Sequence, residues 1–271
     1  VTAALESAPR PAPVRTPLWY GLGEVPADLG PCVLTIGVFD GLHRGHRRLL
    51  DHARSVADAR GLPLVLVTFD PHPARVLGTG KDTATLSTIG HRAELAGGAG
   101  ADAVCVLRFT RDLAGLSPDE FARHVLAGVL GARAVVVGAN FSFGAKAAGD
   151  VVTLQRLGTG LGFTTHPVPL LRAVDVPCSS SYTRHCLRAG DLAAATRALG
   201  RPHRVDGYRS GDLVELDPHT ALPPVGHYRA TVNGDACVVE VNGPGSLRVD
   251  TGATGDGPVA VAFHARAEGE R

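Results

Sequence analysis

Methionine is missing from all 271 residues, position 1 included, where valine stands; a non-AUG start codon read literally would leave that mark. No Cys-x-x-Cys pair occurs. The five cysteines, Cys32, Cys105, Cys178, Cys186 and Cys237, are widely spaced and odd in number, which argues against a zinc ribbon and a disulfide scaffold. Reduced thiols in a cytoplasmic protein are expected, most of them serving as small buried hydrophobes. No apolar stretch reaches the ~18 residues needed to cross a bilayer, and the N-terminus lacks the basic-then-apolar order of a signal peptide. An excess of one charge is also absent: 27 basic against 26 acidic residues leave a formal +1. That balance gives no support to a nucleic-acid or membrane partner and shifts attention to local clusters such as His43 to Arg48. No internal repeat is visible.

What is present is organised around Val33 to Leu50, VLTIGVFDGLHRGHRRLL. An apolar run from Val33 to Val38 breaks at a Gly-containing turn and passes into a helix-like pattern opening with His43, Gly45 and His46. Strand, tight loop and helix N-terminus together make an anion site, because the first N–H groups of a helix lack partners and carry the positive end of its dipole. Gly45 has no Cβ and would let a phosphate approach the backbone, while both imidazoles would donate to the same anion. The pattern His-x-Gly-His arises by chance roughly 0.07 times in a chain of this composition, so its position after a strand counts for more than its occurrence.

Residues 1–17 carry Ala, Pro and Arg without periodicity and are read as a mobile leader. From there the chain alternates. Strands are expected at 33–38, 63–69, 102–107, 132–138 and 163–170, and helices at about 44–60, 87–97, 118–130 and 150–158, with Ser117 as an N-cap. Strands apolar on both faces imply a parallel α/β sheet covered by helices, with ligands at the strands' carboxyl ends. A helical pair at 179–187 and 192–199 follows. After GRPHRVDG the pattern changes to short segments split by Pro, Gly and Asn-Gly turns, DLVEL, HYRATV, ACVVEV, SLRV and PVAVAF, which read as a small antiparallel β domain over 203–271. The polar tail 265–271 is expected to fray.

Three further stretches carry chemistry. TFDPHP leaves a strand end in a loop stiffened by two prolines; Asp70 could hold a ligand hydroxyl, Mg²⁺ or the loop's own backbone. In VVVGANFSFGAKAAGD, Asn140 follows a strand end, Phe141 and Phe143 alternate, which allows either one to turn inward to the core, and Lys146 offers a counter-charge to phosphate. SSSYTR places the hydroxyls of Ser179, Ser180 and Ser181 in the first turn of a helix, with the guanidinium fork of Arg184 behind them. An ordinary capped helix is the bland alternative for that last stretch.

GVFDGLHRGH, TFDPHP, VVVGANFSFGAKAAGD and SSSYTR, in this order, resemble the nucleotidyltransferase half of bacterial FAD synthetases, the bifunctional riboflavin kinase and FMN adenylyltransferase proteins. The resemblance covers about Trp19 to Gly207 and implies a Rossmann-like nucleotidyltransferase domain over 18–202. It implies catalytic roles for His43, His46 and Arg184, ATP contacts at Gly37, Phe39, Gly45, Ser179, Ser180 and Ser181, and FMN contacts at Asp70, Asn140, Phe143 and Lys146. ATP with Mg²⁺ and FMN would be the substrates and FAD the product. The family usually has Thr where Ser181 stands, and Ser keeps the hydroxyl. The larger departure is in the β region: the G-F-P-T-A-N stretch of the kinase half is absent, RVDGYRSGDLVELDPHTALPPVGHY running in its place. A kinase module degenerate or lost is the expectation. Two other readings stand beside it: a nucleotidyltransferase of the same fold with a changed acceptor, and a non-catalytic flavin-nucleotide-binding protein.

Overall fold

The computed structural model describes residues 16–169, 178–250 and 255–267. Strands β1 (Leu18–Tyr20), β2 (Cys32–Ile36), β3 (Leu64–Asp70), β4 (Ala103–Arg108) and β5 (Ala132–Gly138), then a two-residue pair β6 (Ser142–Phe143) and β7 (Gly149–Asp150), lead to β8 (Thr164–Val168). All but β6 and β7 join one parallel sheet in the order β1-β4-β3-β2-β5-β8. Between them lie α1 (Arg44–Asp58), α2 (Pro73–Val76), α3 (Ile89–Gly97), α4 (Arg111–Gly115), α5 (Pro118–Glu120) and α6 (Val151–Leu161). The strand order reverses between β2 and β5, the place where open α/β sheets leave a crevice for a ligand.

Why these strands read as unbroken apolar runs is visible in the two cores. Alternate residues of β2 go to opposite faces. Leu34 and Ile36 meet Phe121, Leu126 and Leu154, while Val33 meets Leu50, Ala53 and Ala96 from α1 and α3. Neither face is left to water, so no polar alternation survives. Leu50 is fully buried, a burial worth about 1.5–3 kcal/mol by itself. Cys32, Cys105 and Cys186 fill core positions.

α7 (Ser180–Arg188) and α8 (Leu192–Leu199) follow, then β9 (His203–Ser210), β10 (Leu213–Glu215), β11 (Gly226–Val232), β12 (Asp235–Gly243), β13 (Ser246–Asp250) and β14 (Gly257–Arg266). These six close into an antiparallel barrel, β10-β13-β12-β11-β14-β9. Its interior takes alternate residues such as Tyr228, Ala230 and Val232 of β11 and Val259, Val261 and Phe263 of β14. The α/β sheet with a small C-terminal β unit is therefore what the chain builds. Cys186, Leu187, Leu192 and Ala195 of α7 and α8, with Leu86, share the barrel's apolar cluster. Thr85 adds a bridge to Thr220, its N–H donating to the His219 carbonyl at 2.7 Å.

Several expectations need correcting. β1, β6, β7 and β9 were not anticipated as strands; β1 carries only three residues and is held at the sheet edge by β4. The helix expected over 118–130 starts as foreseen, with Ser117 and Glu120 forming a reciprocal cap, but from Phe121 to Val129 it widens into a π-helix. The fraying tail is overturned for Ala265 and Arg266, which pair with Arg229 and Tyr228 of β11. Residues 268–271, and 1–15 of the expected leader, lie outside the described residues.

Candidate active site

The loop between β2 and α1 has an unusual backbone. Phe39, Gly41 and Leu42 all have positive φ, 52°, 75° and 35°, a region that costs a side-chain-bearing residue of order 1–3 kcal/mol. Gly41 is needed twice over, since a Cβ there would also sit 2.9 Å from Leu86 Cβ. The strained turn delivers His43 to the N-cap of α1, where its Nδ1 accepts from the His46 N–H at 3.3 Å. His43 is therefore neutral with its proton on Nε2, free to donate outward. Both imidazoles had been expected as donors; at His43 only Nε2 is left for that. The His46 ring stacks on that of His43, centroids 3.7 Å apart, and leans on Phe39 at 4.9 Å. Two imidazolium charges at that separation would repel strongly, so the pair holds at most one.

Gly45 has a packing reason of its own beside the phosphate approach expected of it. A Cβ there would come within 3.1 Å of the His43 ring and 3.2 Å of the Cys178 carbonyl. The glycine thus lets the start of α1 pack against the chain that enters α7.

Behind the histidines lies a group absent from the sequence reading. Asp40, 2% exposed, accepts from the N–H groups of Leu86 and Ser87 and from two guanidiniums, Arg184 at 2.5 Å and Arg92 at 3.3 Å. Arg184 also donates through Nε to the Ala84 carbonyl at 2.6 Å, and Arg92 to Thr68 Oγ1 at 2.9 Å. One carboxylate against two buried guanidiniums leaves a positive surplus beside the loop. A signal for Arg92 existed: it occupies the i+3 position of the inward stripe Ile89, Arg92, Ala93, Ala96 on α3, where an arginine needs a partner.

The four motifs come together unequally. Ser180 Oγ donates to the Asp40 carbonyl at 2.8 Å, and Thr68 Oγ1 to the Val38 carbonyl at 2.7 Å, so three motifs are tied by direct bonds. Ser179 caps α7, accepting from the Tyr182 N–H, and only Ser181 presents an exposed side chain. Arg184 reaches the site through Asp40. Asp70, at the end of β3, is exposed and lines a cavity of about 240 Å³ together with Asp40, His72, Arg75 and Arg92; the histidine pair is outside that lining. The fourth motif stands at the carboxyl end of β5, next to β2. Asn140 and Lys146 are exposed there, while Phe143 is withdrawn into the core, stacked on Phe141 at 5.5 Å. Of the two rings, Phe141 is the one left half-exposed. A Cβ on Gly37 would come within 3.3 Å of the Phe39 ring.

The FAD synthetase family model matches residues 25–182, the stretch that carries the loop, the Asp40 cluster and the start of α7. The chain belongs to the FAD synthetase family. Among its relatives, the bifunctional riboflavin kinase/FMN adenylyltransferase of Pseudomonas fluorescens is 37% identical over 187 residues, 69% of this chain and 60% of that protein. The protein of the same description from Bacillus subtilis is 32% identical over 218 residues, 75% of this chain and 68% of its own length. Against the first of these, this FAD synthetase family member spans only about 60% of the relative's length. A solved structure described as a macrolide-efflux protein from Streptococcus pneumoniae superposes with a TM-score of 0.77 at 19% identity, over 94% of this chain and 91% of that one, a likeness of fold. No helix among the described residues is long and apolar enough to cross a membrane.

The buried histidines make a pH prediction. Burial pushes His43 down to about 4, with Arg201 and Arg184 acting in the same direction against Asp40. Burial does the same to His91 and His203, also to about 4. All three are neutral when folded and regain an ordinary value near 6.5 when unfolded, so between those values the unfolded chain binds more protons. Stability should fall as pH drops from about 6.5 to about 4, by up to about 1.4 kcal/mol per pH unit for each histidine, and level off below. Urea titrations at pH 7.5, 6 and 5 check this; equal stabilities would show that these rings are not held neutral.

Proposed function

We propose that this chain transfers the adenylyl group of ATP to the phosphate of FMN, giving FAD and pyrophosphate, and has no riboflavin kinase activity. The observation that carries the reading is the stacked His43–His46 pair at the start of α1, at the carboxyl end of β2 beside the β2–β5 reversal, with the positive Asp40–Arg92–Arg184 group behind it. An oxygen of the FMN phosphate attacks the α-phosphorus of ATP, a new P–O bond forms, and the bond to the bridging oxygen breaks to release pyrophosphate. That acceptor is already ionised at neutral pH, so no protein nucleophile or strong base is needed. Charge grows on the non-bridging α-oxygens, and donors fixed there favour the transition state over the ground state. The Nε2–H of neutral His43 and the His46 ring would do that work. The free N–H groups of α7 and the exposed Ser181 suit the departing pyrophosphate. Asp70, Asn140 and Lys146 are assigned to the acceptor side, with the flat face offered by Phe141 in place of Phe143.

Among the described residues, no group of three or more His, Cys, Asp or Glu side chains is arranged to hold a metal ion. The Mg²⁺ of the proposed reaction would arrive on the phosphates of ATP with most of its water.

The kinase half of the proposal rests on chemistry that the barrel lacks in sequence. Phosphorylating riboflavin requires a second phosphate cradle and a base for a neutral ribityl hydroxyl, and no matching motif surrounds Asp217 or Glu240. Purified protein given ATP, Mg²⁺ and FMN should release pyrophosphate and form FAD, while riboflavin in place of FMN should give neither FMN nor ADP. FMN appearing in proportion to enzyme would mean the barrel holds a working kinase site. Pyrophosphate release with another phosphorylated acceptor but not with FMN would move the acceptor assignment.

A further inference from the structure

We infer that Arg201, in the connection between α8 and β9, is a positioning residue for the adenylyl-transfer loop and the device by which the barrel end of the chain holds that loop in register. The inference rests on the adenylyl-transfer reading of His43 and His46. Arg201 Nη2 donates to the Gly41 carbonyl at 2.6 Å, and Nη1 donates to the Leu42 carbonyl at 3.2 Å and to the Leu199 carbonyl at 3.3 Å. Those first two carbonyls belong to positive-φ residues, immediately before His43. A backbone held in a sparsely populated region persists only when its surroundings over-determine it.

The loop is gripped from two sides. Ser87 Oγ accepts from the Gly41 N–H at 3.0 Å, so residue 41 has its donor tied to the segment before α3 and its acceptor tied to Arg201. Bonds to charged donors are stronger than neutral ones, and Arg201 is largely shielded, its Nε buried without a partner. Two parallel N–H groups on one planar fork read the spacing of two successive carbonyls, which a lysine cannot do. Burial lowers the guanidinium only to about 10, so the fork stays charged under any assay condition near neutrality.

Arg201 touches no reacting atom in this assignment; it acts through Gly41 and Leu42 on the orientation of His43. Its loss should therefore appear in turnover more than in binding. Arg201→Gln should lower kcat for FAD formation ~10–10²-fold, as a misplacement of about an ångström does, while the KM for FMN stays within about threefold. Arg201→Lys, able to serve the Gly41 carbonyl alone, should recover part of kcat. A readout independent of activity is amide hydrogen exchange at Gly41 and Leu42, which should speed up in Arg201→Gln with the β2 and β3 amides unchanged. If the wild-type chain makes no FAD, the functional reading fails and the exchange experiment still decides whether Arg201 holds the loop. Unchanged kcat and unchanged exchange in Arg201→Gln would overturn the inference. So would a loss of kcat in both variants that merely follows the fraction of folded protein.

Discussion

Replacing Asp40 with alanine is expected to destabilise the fold by about 3–5 kcal/mol, the cost of leaving buried charge without its partner. The carboxylate is 2% exposed and faces Arg92 and Arg184, each nearly as buried as itself. Removing it strands two guanidiniums at once and leaves the N–H groups of Leu86 and Ser87 without their acceptor. Since a domain of this size commonly has about 5–15 kcal/mol in total, Asp40→Ala should be marginal at 37 °C. Asp40→Asn keeps the shape and one acceptor oxygen but not the charge, and should recover only a minor part. Urea unfolding of the three proteins measures this. A loss under about 1 kcal/mol in Asp40→Ala would mean the arginines find water or other partners, and the group would not be the support of the loop.

His46→Ala should leave a folded protein whose FAD formation is slower by ~10²-fold or more, the effect of removing one fixed donor from a site of growing charge. FMN affinity should change far less, because the stabilisation is directed at the transition state. The ring is only partly buried, packed between His43 and Phe39, so its truncation leaves the main cores untouched. Measuring kcat by pyrophosphate release and FMN binding by fluorescence quenching separates the two effects. A folded His46→Ala with near-normal turnover would remove this histidine from the chemistry.

How far the sequence could be read depended on what each residue answers to. The central strands announced themselves because both faces are buried, and α1, α3, α7 and α8 because their apolar stripes and caps are local features. β1 was invisible because three residues carry no period, and β9 because its outward residues Arg204 and Asp206 make polar pairs while Gly207 on the inner face gives way to Val214 and Leu216, leaving no apolar run. At the site, His43 and His46 were legible from spacing. Asp40 was not, although it lies in the same motif, since its partners Arg92 and Arg184 are 52 and 144 residues away and nothing local reveals which charges will meet. Gly45 has a second reason that the sequence could not show, a close approach to the Cys178 carbonyl, another contact made only after folding. Phe143 and Phe141 could not be told apart by alternation alone. The core cluster around Phe121 decided it.

The Asp40–Arg184 pair spans 144 residues and the Gly41–Arg201 bond 160. At a synthesis rate of about 5–20 residues per second, on the order of 10 s separate the translation of the loop from that of its two arginines. Throughout that interval the histidine motif exists as chain without Arg184 and Arg201 to hold its turn. The parallel strands β2, β3 and β4 can already be paired by then, because their contacts lie closer together in sequence. A ribosome-bound intermediate would thus carry an assembled half-sheet while the loop after β2 is not yet tied down. The turn that carries the histidines is completed late, when the segment through Arg201 docks on the Gly41 and Leu42 carbonyls.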